Sequence, residues 1–183
     1  MKKCKVLGII AIKGGVGKTT TVVNLATSLA KDYGKKVLVV DTNFSSPHIG
    51  LHLGSLNHKG TLHEVLNDKI HVSRAVHQHE FGFDFIPSSL VDYAGVKHLK
   101  LKAKLNELKK HYDYILLDSS PSLNDEILAT ITASDELYVV SSPDLPTLST
   151  TLRAVKLAKE KGMQISGIIL NKVRDKKYEI TRT

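Results

Sequence analysis

The chain has almost no cysteine, which limits how it can be held together. Its one cysteine, Cys4, excludes an intramolecular disulfide and a cysteine-ligated metal cluster within the chain. Such low cysteine usage is typical of proteins in a reducing compartment. We therefore expect a cytoplasmic protein that can associate peripherally with a membrane or the nucleoid.

Long hydrophobic runs are also lacking. No apolar stretch approaches the ~20 residues that a membrane-spanning helix needs. Residues 6–12 are apolar and follow a basic start, but they lead into a glycine-rich loop without a cleavage site, so we interpret them as a strand. Repeats, low-complexity tracts and linkers are absent from the 183 residues, which predicts one domain over 1–183.

Acidic residues are in the minority. The chain has 26 Lys and Arg against 18 Asp and Glu, a net charge of +8. Much of the excess lies in residues 97–111 and 172–182. A basic surface of this kind favours an anionic partner, either DNA or an anionic membrane surface, although a solvated helix face is the ordinary alternative.

Short apolar runs alternate with segments of helical period. This order predicts an α/β fold with a doubly wound, mainly parallel sheet and helices on both faces. The predicted strands are 5–12, 37–41, 83–87, 113–118, 136–141 and 164–171. The predicted helices are 17–33, 61–67, 91–111, 123–132 and 145–161.

One octet, Lys13-Gly14-Gly15-Val16-Gly17-Lys18-Thr19-Thr20, lies between the first strand and the first helix. Glycines there let backbone N–H groups approach anionic oxygens, and the helix N-terminus favours negative charge. Lys18 would reach the terminal phosphates, and the Thr19 hydroxyl would bind Mg²⁺. The octet therefore predicts a phosphate-binding loop of the P-loop NTPase type.

Polar residues close three other strands. Asp41, Asp118 and Asn171 end the second, fourth and last long strands. Ligands of open α/β sheets bind beyond the carboxyl ends of the strands. We therefore expect these side chains to converge with the octet on one crevice, where Asp41 and Asp118 could support Mg²⁺.

The octet carries an extra lysine, Lys13, and has Ile12 where the strict P-loop pattern has glycine. In this form it resembles the deviant P-loop of the MinD/ParA family. The resemblance implies ATP and Mg²⁺ as cofactors and an ATP-dependent homodimer in which Lys13 reaches the partner's nucleotide. It also implies a magnesium role for Asp118 and an adenine contact for Asn171.

Asp41-Thr42-Asn43 differs from the Asp-x-Asp usual in that family. The resemblance implies that Asp41 supports the metal site and that the residue at Asn43 helps to position the attacking water. An amide can hydrogen-bond a water but cannot accept its proton. We therefore expect ATP hydrolysis at a reduced rate.

Residues 46–54 and 61–66 are similar to the MinD branch, and the Asp-Pro-Gln-Gly usual in ParA is missing. The resemblance extends from residue 6 to residue 172. It implies that a C-terminal segment of the family, including the membrane-binding helix of MinD, is absent from these 183 residues.

The leading hypothesis is an ATP-dependent dimerisation switch for positioning, such as division-site placement, chromosome or plasmid partitioning, or cargo placement with an unidentified partner. One alternative is a P-loop biosynthetic enzyme related to dethiobiotin synthetase, against which Lys13 counts. An iron–sulfur ATPase would need paired cysteines. A pseudo-enzyme that binds ATP without turnover remains open because of Asn43.

Overall fold

The computed structural model describes residues 4–55, 58–91, 95–174 and 179. Strands and helices alternate as predicted. The strands are β1 Lys5–Ile10, β2 Val37–Thr42, β3 His77–Gln78, β4 Asp84–Ile86, β5 Tyr114–Ser119, β6 Glu136–Ser141 and β7 Ile165–Leu170. The helices are α1 Lys18–Lys31, α2 Ile49–His52, α3 Leu62–Leu66, α4 Leu101–Leu108, α5 Asp125–Ala133 and α6 Leu145–Glu160. Short 3₁₀ turns cover Val72–Ala75, His98–Lys100 and Lys109–His111.

The strands form one sheet in the order β3-β4-β2-β5-β1-β6-β7, parallel throughout except for the β3–β4 pair. The central strands are continuous apolar runs because helices cover both of their faces. In the β2–β5 register Asp41 lies opposite Asp118. The two predicted acids are therefore neighbours at the carboxyl end of the sheet.

Three buried clusters hold the helices to the sheet. One joins α1 to the face that carries Leu7, Ile9 and Leu116. Another packs α3, α4 and α5 on the opposite face, and a third joins α5 and α6 to β6. The doubly wound, mainly parallel architecture predicted from the sequence is confirmed. No helix in the described part of the chain is both long and apolar enough to cross a bilayer.

The predicted helix over 91–111 is wrong in its first part. Residues 95–97 are not helical, and a 3₁₀ turn leads into α4 at Leu101. Gly95 has a φ of 82°, in the left-handed region that a helix cannot continue through. Residues 92–94 of that prediction, and most of the basic tail 172–182, lie outside the described residues.

One short strand and one short α-helix were not predicted. Strand β3 has two residues and pairs antiparallel to β4 at the sheet edge, and α2 has four residues. Neither is long enough to show a hydrophobic period. The other predicted elements are present with ends that differ by a few residues. Helix α3 begins with a capping box between Thr61 and Glu64.

Candidate functional site

The glycine-rich loop joins β1 to α1 as the octet predicts. Gly15 and Gly17 have φ values of 73° and 94°, which side-chain-bearing residues rarely adopt. A Cβ at Gly17 would come within 2.2 Å of the Asn171 amide nitrogen. Gly17 therefore meets two demands, a left-handed backbone and close contact with Asn171, and α1 begins immediately after it at Lys18.

The other residues of the octet either anchor the loop or leave its backbone exposed. Val16 is buried with the α1 cluster, and so it anchors the middle of the loop. A Cβ at Gly14 would meet no atom within 4 Å, so the loop is open on that side. Thr20 is exposed on the first turn of α1.

Asp118 contacts both of the polar side chains that open α1. Its carboxylate lies 3.1 Å from Lys18 Nζ and accepts a 2.6 Å hydrogen bond from the Thr19 hydroxyl. Lys18 and Asp118 are both buried. The side chains predicted to bind phosphate and Mg²⁺ are therefore in direct contact with one another.

Asp41 is fully buried and organises the loop that follows β2. Its carboxylate accepts hydrogen bonds from the backbone N–H groups of Asn43 at 3.1 Å and of His48 and Ile49 at 3.0 Å. Burial, and then the charge of Asp118, raises the pKa of Asp41 to about 7 against the opposing effect of these bonds. The two neighbouring carboxylates therefore form a site that favours an added cation.

Asn43 is buried at the entrance to the same site. Its Nδ2 donates to the Ser46 carbonyl and to His48 Nδ1, the latter at 3.0 Å. Its Oδ1 is buried and has no hydrogen-bond partner among the described residues. The amide hydrogens are thus engaged within the loop, and the oxygen is the group left without a partner among the described residues.

Lys13 lies against its own subunit. Its Nζ is 3.1 Å from Asp144 Oδ1 and 2.8 Å from the Thr147 hydroxyl. Asp144 is the N-cap of α6, where it accepts from the Thr147 backbone N–H at 2.9 Å. Hydrogen bonds from Ser142 and Thr147, with a smaller contribution from Lys13, hold the pKa of Asp144 well below its usual range.

Asn171 follows β7, and its side chain contacts the phosphate loop. Its Nδ2 donates to the Val16 carbonyl at 2.9 Å, while Lys172 Nζ donates to the Gly15 carbonyl at 2.5 Å. The adenine contact expected of Asn171 stays a prediction. The structure adds a second role, in which Asn171 and Lys172 tie the last strand to the phosphate loop.

A cavity of about 610 Å³ brings these elements together. It is lined by the whole octet, Lys13 to Thr20, and by Asn43, His48, Leu51, His52, Pro121 and Lys172. Asp41 and Asp118 are buried at the ends of the adjoining strands. The site residues predicted from the sequence do not include His48, Leu51, His52 or Lys172. The first three lie soon after Asp41, which was the available signal, but the short helix α2, with His48 as its N-cap, was not predicted.

In this site a glycine-rich loop joins a strand to a helix, and a lysine and a hydroxyl contact a carboxylate at the end of a neighbouring strand. This arrangement defines a P-loop nucleoside triphosphatase. A family model described as an AAA domain matches residues 4–165. The chromosome partitioning protein ParA of Caulobacter vibrioides is 32% identical, over 91% of this chain and 68% of ParA. The chain belongs to the MinD/ParA family of P-loop ATPases.

Two further comparisons agree with that assignment. An uncharacterized ATP-binding protein of Methanocaldococcus jannaschii is 34% identical over 92% of this chain and 64% of its own length. The septum site-determining protein MinD of Pyrococcus horikoshii, solved with Mg-ADP, superposes with a TM-score of 0.89 at 29% identity, over 97% of this chain and 74% of that chain. The chain thus spans about two thirds of the length of the curated relatives it matches.

Proposed function

We propose that this chain is an ATP-dependent dimerisation switch of the MinD/ParA type. Its output would be spatial positioning of a division site, a chromosome or plasmid, or another cargo. One observation supports this most directly: Lys13 lines the same cavity as Lys18 and Thr19. A lysine on the rim of a phosphate loop can serve a nucleotide held by the loop or by a facing subunit.

The site residues fit ATP and Mg²⁺. Hydroxyl and carboxylate oxygens of Thr19, Asp41 and Asp118 are the ligand type that Mg²⁺ prefers, directly or through water. Asp41 and Asp118 are buried neighbours, and Lys18 forms an ion pair with Asp118. A bound divalent cation would neutralise charge on the phosphate oxygens.

Each residue of the loop would have a separate task. The N–H groups of residues 14–19 would cradle the phosphates, and Lys18 would move from Asp118 to their oxygens. Asn43 Oδ1 would accept a hydrogen bond from the attacking water. Because an amide takes no proton from that water, hydrolysis would be slow and the ATP-bound state long-lived.

Partners follow from the same proposal. ATP would bridge a homodimer through Lys13, and hydrolysis would release it. The location would be cytoplasmic, with attachment to DNA or an anionic membrane through the basic segment 97–111. A MinD-like role is favoured by residues 46–54.

The proposal is tested by measuring molar mass by light scattering with and without ATP·Mg²⁺, alongside phosphate release. We expect the mass to double in ATP·Mg²⁺ and to return to that of the monomer as phosphate appears. Phosphate release without any change in mass would instead favour a small-molecule enzyme on this fold. ATP binding and dimerisation without release would favour the pseudo-enzyme.

A further inference from the structure

Glu126 is a buried carboxylate that none of the roles above uses. It lies in the first turn of α5 and is 6% exposed. Its Oε2 accepts the backbone N–H of Phe44 at 3.0 Å, and its Oε1 accepts that of Ser45 at 3.1 Å. Two consecutive amides are therefore bound by one side chain, which offsets the desolvation cost of burying the charge.

A second contact joins the same helix to the same strand end. Thr130, one turn further along α5, has its hydroxyl 2.8 Å from that of Thr42, the last residue of β2. Thr42 in turn donates to the Asp118 carbonyl at 2.8 Å. Helix α5 thus binds the chain on both sides of Asn43 and stands next to the end of β5.

The loop held in this way carries the cavity-lining groups Asn43 and His48. Asp41 binds its two ends through the N–H groups of Asn43 and His48. Between those ends, the Phe44 ring packs edge-on against His63 at a centroid distance of 5.4 Å. Glu126 binds the intervening backbone, so the loop is fixed at its ends by Asp41 and in its middle by α5.

We propose that Glu126 is a positioning residue for ATP hydrolysis. By binding the Phe44 and Ser45 amides it sets the conformation of residues 43–48, and with it the position of Asn43, which lines the cavity. This inference rests on the proposed ATPase function. Glu126 does not line the cavity itself, so its loss should alter turnover and leave nucleotide affinity nearly unchanged.

The direct test is amide hydrogen exchange at Phe44 and Ser45 in nucleotide-free protein, by NMR. In Glu126→Ala we expect both amides to exchange about tenfold faster or more, the effect of losing about 1.4 kcal/mol of protection. Asp125→Ala is the matched control, because Asp125 is an exposed acid in the same turn. Its amide exchange should equal that of the wild type.

Turnover and affinity provide the functional test. We expect Glu126→Ala to lower kcat about tenfold, the equivalent of about 1.4 kcal/mol, while the Kd for ATP measured by calorimetry stays within about twofold. Glu126→Gln keeps one oxygen acceptor, so one of the two amides should stay protected and kcat should be intermediate. If Glu126→Ala does not fold, Glu126→Gln provides the test of the positioning role.

If the exchange rates of both amides were unchanged in the two variants, the contact between Glu126 and these amides would be refuted. Faster exchange with unchanged kcat would show that the contact is structural and that Glu126 positions nothing for hydrolysis. If the wild type neither binds nor hydrolyses ATP, the proposed function fails and the positioning role fails with it. The exchange measurement still separates that failure from an error about the loop contact.

Discussion

Asn43 makes contacts that a carboxylate could not make. Its Nδ2 supplies two hydrogens, one to the Ser46 carbonyl and one to His48 Nδ1. Because Nδ1 accepts, His48 carries its proton on Nε2 in this arrangement. The amide thus stabilises its own loop with its nitrogen, while its oxygen is buried without a hydrogen-bond partner among the described residues. The residue in this way exchanges proton-accepting ability for local order.

Replacing Asn43 by aspartate tests that exchange. We expect Asn43→Asp to release phosphate faster at saturating ATP, because a carboxylate can accept a proton from water and supplies negative charge. A tenfold rise corresponds to about 1.4 kcal/mol of barrier. The variant should also melt earlier, since it loses both donated hydrogen bonds. An unchanged or lower rate would mean that another group orients the water.

Lys18 is the second residue whose role can be isolated. Lys18→Ala should lower ATP affinity by about 10-fold to 150-fold, the range expected for a charge-assisted contact of about 1.5–3 kcal/mol. Calorimetry measures this directly, with Lys31→Ala, an exposed lysine at the C-terminal end of α1, as control. Circular dichroism should accompany it, because the change also leaves the buried Asp118 without its cation. Equal affinity in a folded variant would contradict the phosphate role.

Among the elements, the basic segment 97–111 around α4 has fewer lysines available to an anionic partner than its sequence indicates. Lys100 and Lys104 pair with Asp68, and Lys109 pairs with Asp135. Lys102 and Lys110 are exposed and form no ion pair in the described part of the chain. Any anionic surface would therefore be met mainly by these two lysines and Lys97.

A double variant distinguishes a binding surface from a solvated one. Lys102→Ala/Lys110→Ala should weaken binding to DNA or to anionic vesicles and flatten its salt dependence, because fewer counterions are released. Fluorescence anisotropy and vesicle sedimentation at low and physiological salt measure this. Lys104→Ala, which removes a paired lysine, is the control and should have a smaller effect. If wild-type binding did not vary with salt, the segment would be an ordinary solvated surface.

At the sheet edge, the loop before α3 contains a pH-dependent contact. His58 packs against His77 at 4.8 Å and against Phe85 at 5.2 Å between ring centroids, and its Nε2 lies 2.8 Å from the Ser55 carbonyl. Burial, with a smaller effect of His77, lowers the pKa of His58 below its ordinary 6.5. The folded protein therefore binds this proton less readily than the unfolded chain.

The sign of the effect follows from linkage. The contribution of neutral His58 to stability is present above pH 6.5 and is lost as pH falls through its lowered folded-state pKa. We expect His58→Gln to lose less stability than the wild type between pH 7.5 and 5.5 in urea unfolding. His52→Gln is the control, an exposed histidine on α2. Parallel losses in all three proteins would contradict this assignment.

For the whole molecule, the position of Lys13 sets a condition for the proposed dimerisation. In the single chain Lys13 is bound to Asp144 and Thr147. To serve a partner's nucleotide it must leave these groups. The gain from the partner's phosphates must therefore exceed the loss of an exposed ion pair, which is commonly about 1 kcal/mol or less.

Lys13→Ala separates nucleotide binding from assembly. We expect the variant to bind ATP with near-wild-type affinity and to stay monomeric, whereas the wild type dimerises with two-fold symmetry in ATP·Mg²⁺. Light scattering and calorimetry on the same samples measure both properties, with Lys161→Ala, at the C-terminal end of α6, as control. A Lys13→Ala protein that dimerises like the wild type would refute the bridging role.

Local patterns predicted the parts of the protein that depend on neighbours in sequence. The octet predicted the loop and the start of α1, and the apolar runs ending in Asp41 and Asp118 predicted strands that prove to be adjacent. The helical period predicts that this helix begins at residue 91, whereas α4 begins at Leu101. The difference arises because Gly95 has a left-handed backbone, which a helix cannot continue through. Elements as short as β3 and α2 contain too few residues to show a period.

By itself the sequence determined the family, the doubly wound sheet and the set of side chains that gather at the carboxyl ends of its strands. These follow from spacing and from the rule that parallel strands present their ends at one edge. Only the tertiary structure decided which of those groups touch: Lys13 on Asp144, Asn43 on His48, and Glu126 on amides 81 and 82 residues away. Such contacts depend on how separate elements pack, and no local period in the chain encodes them.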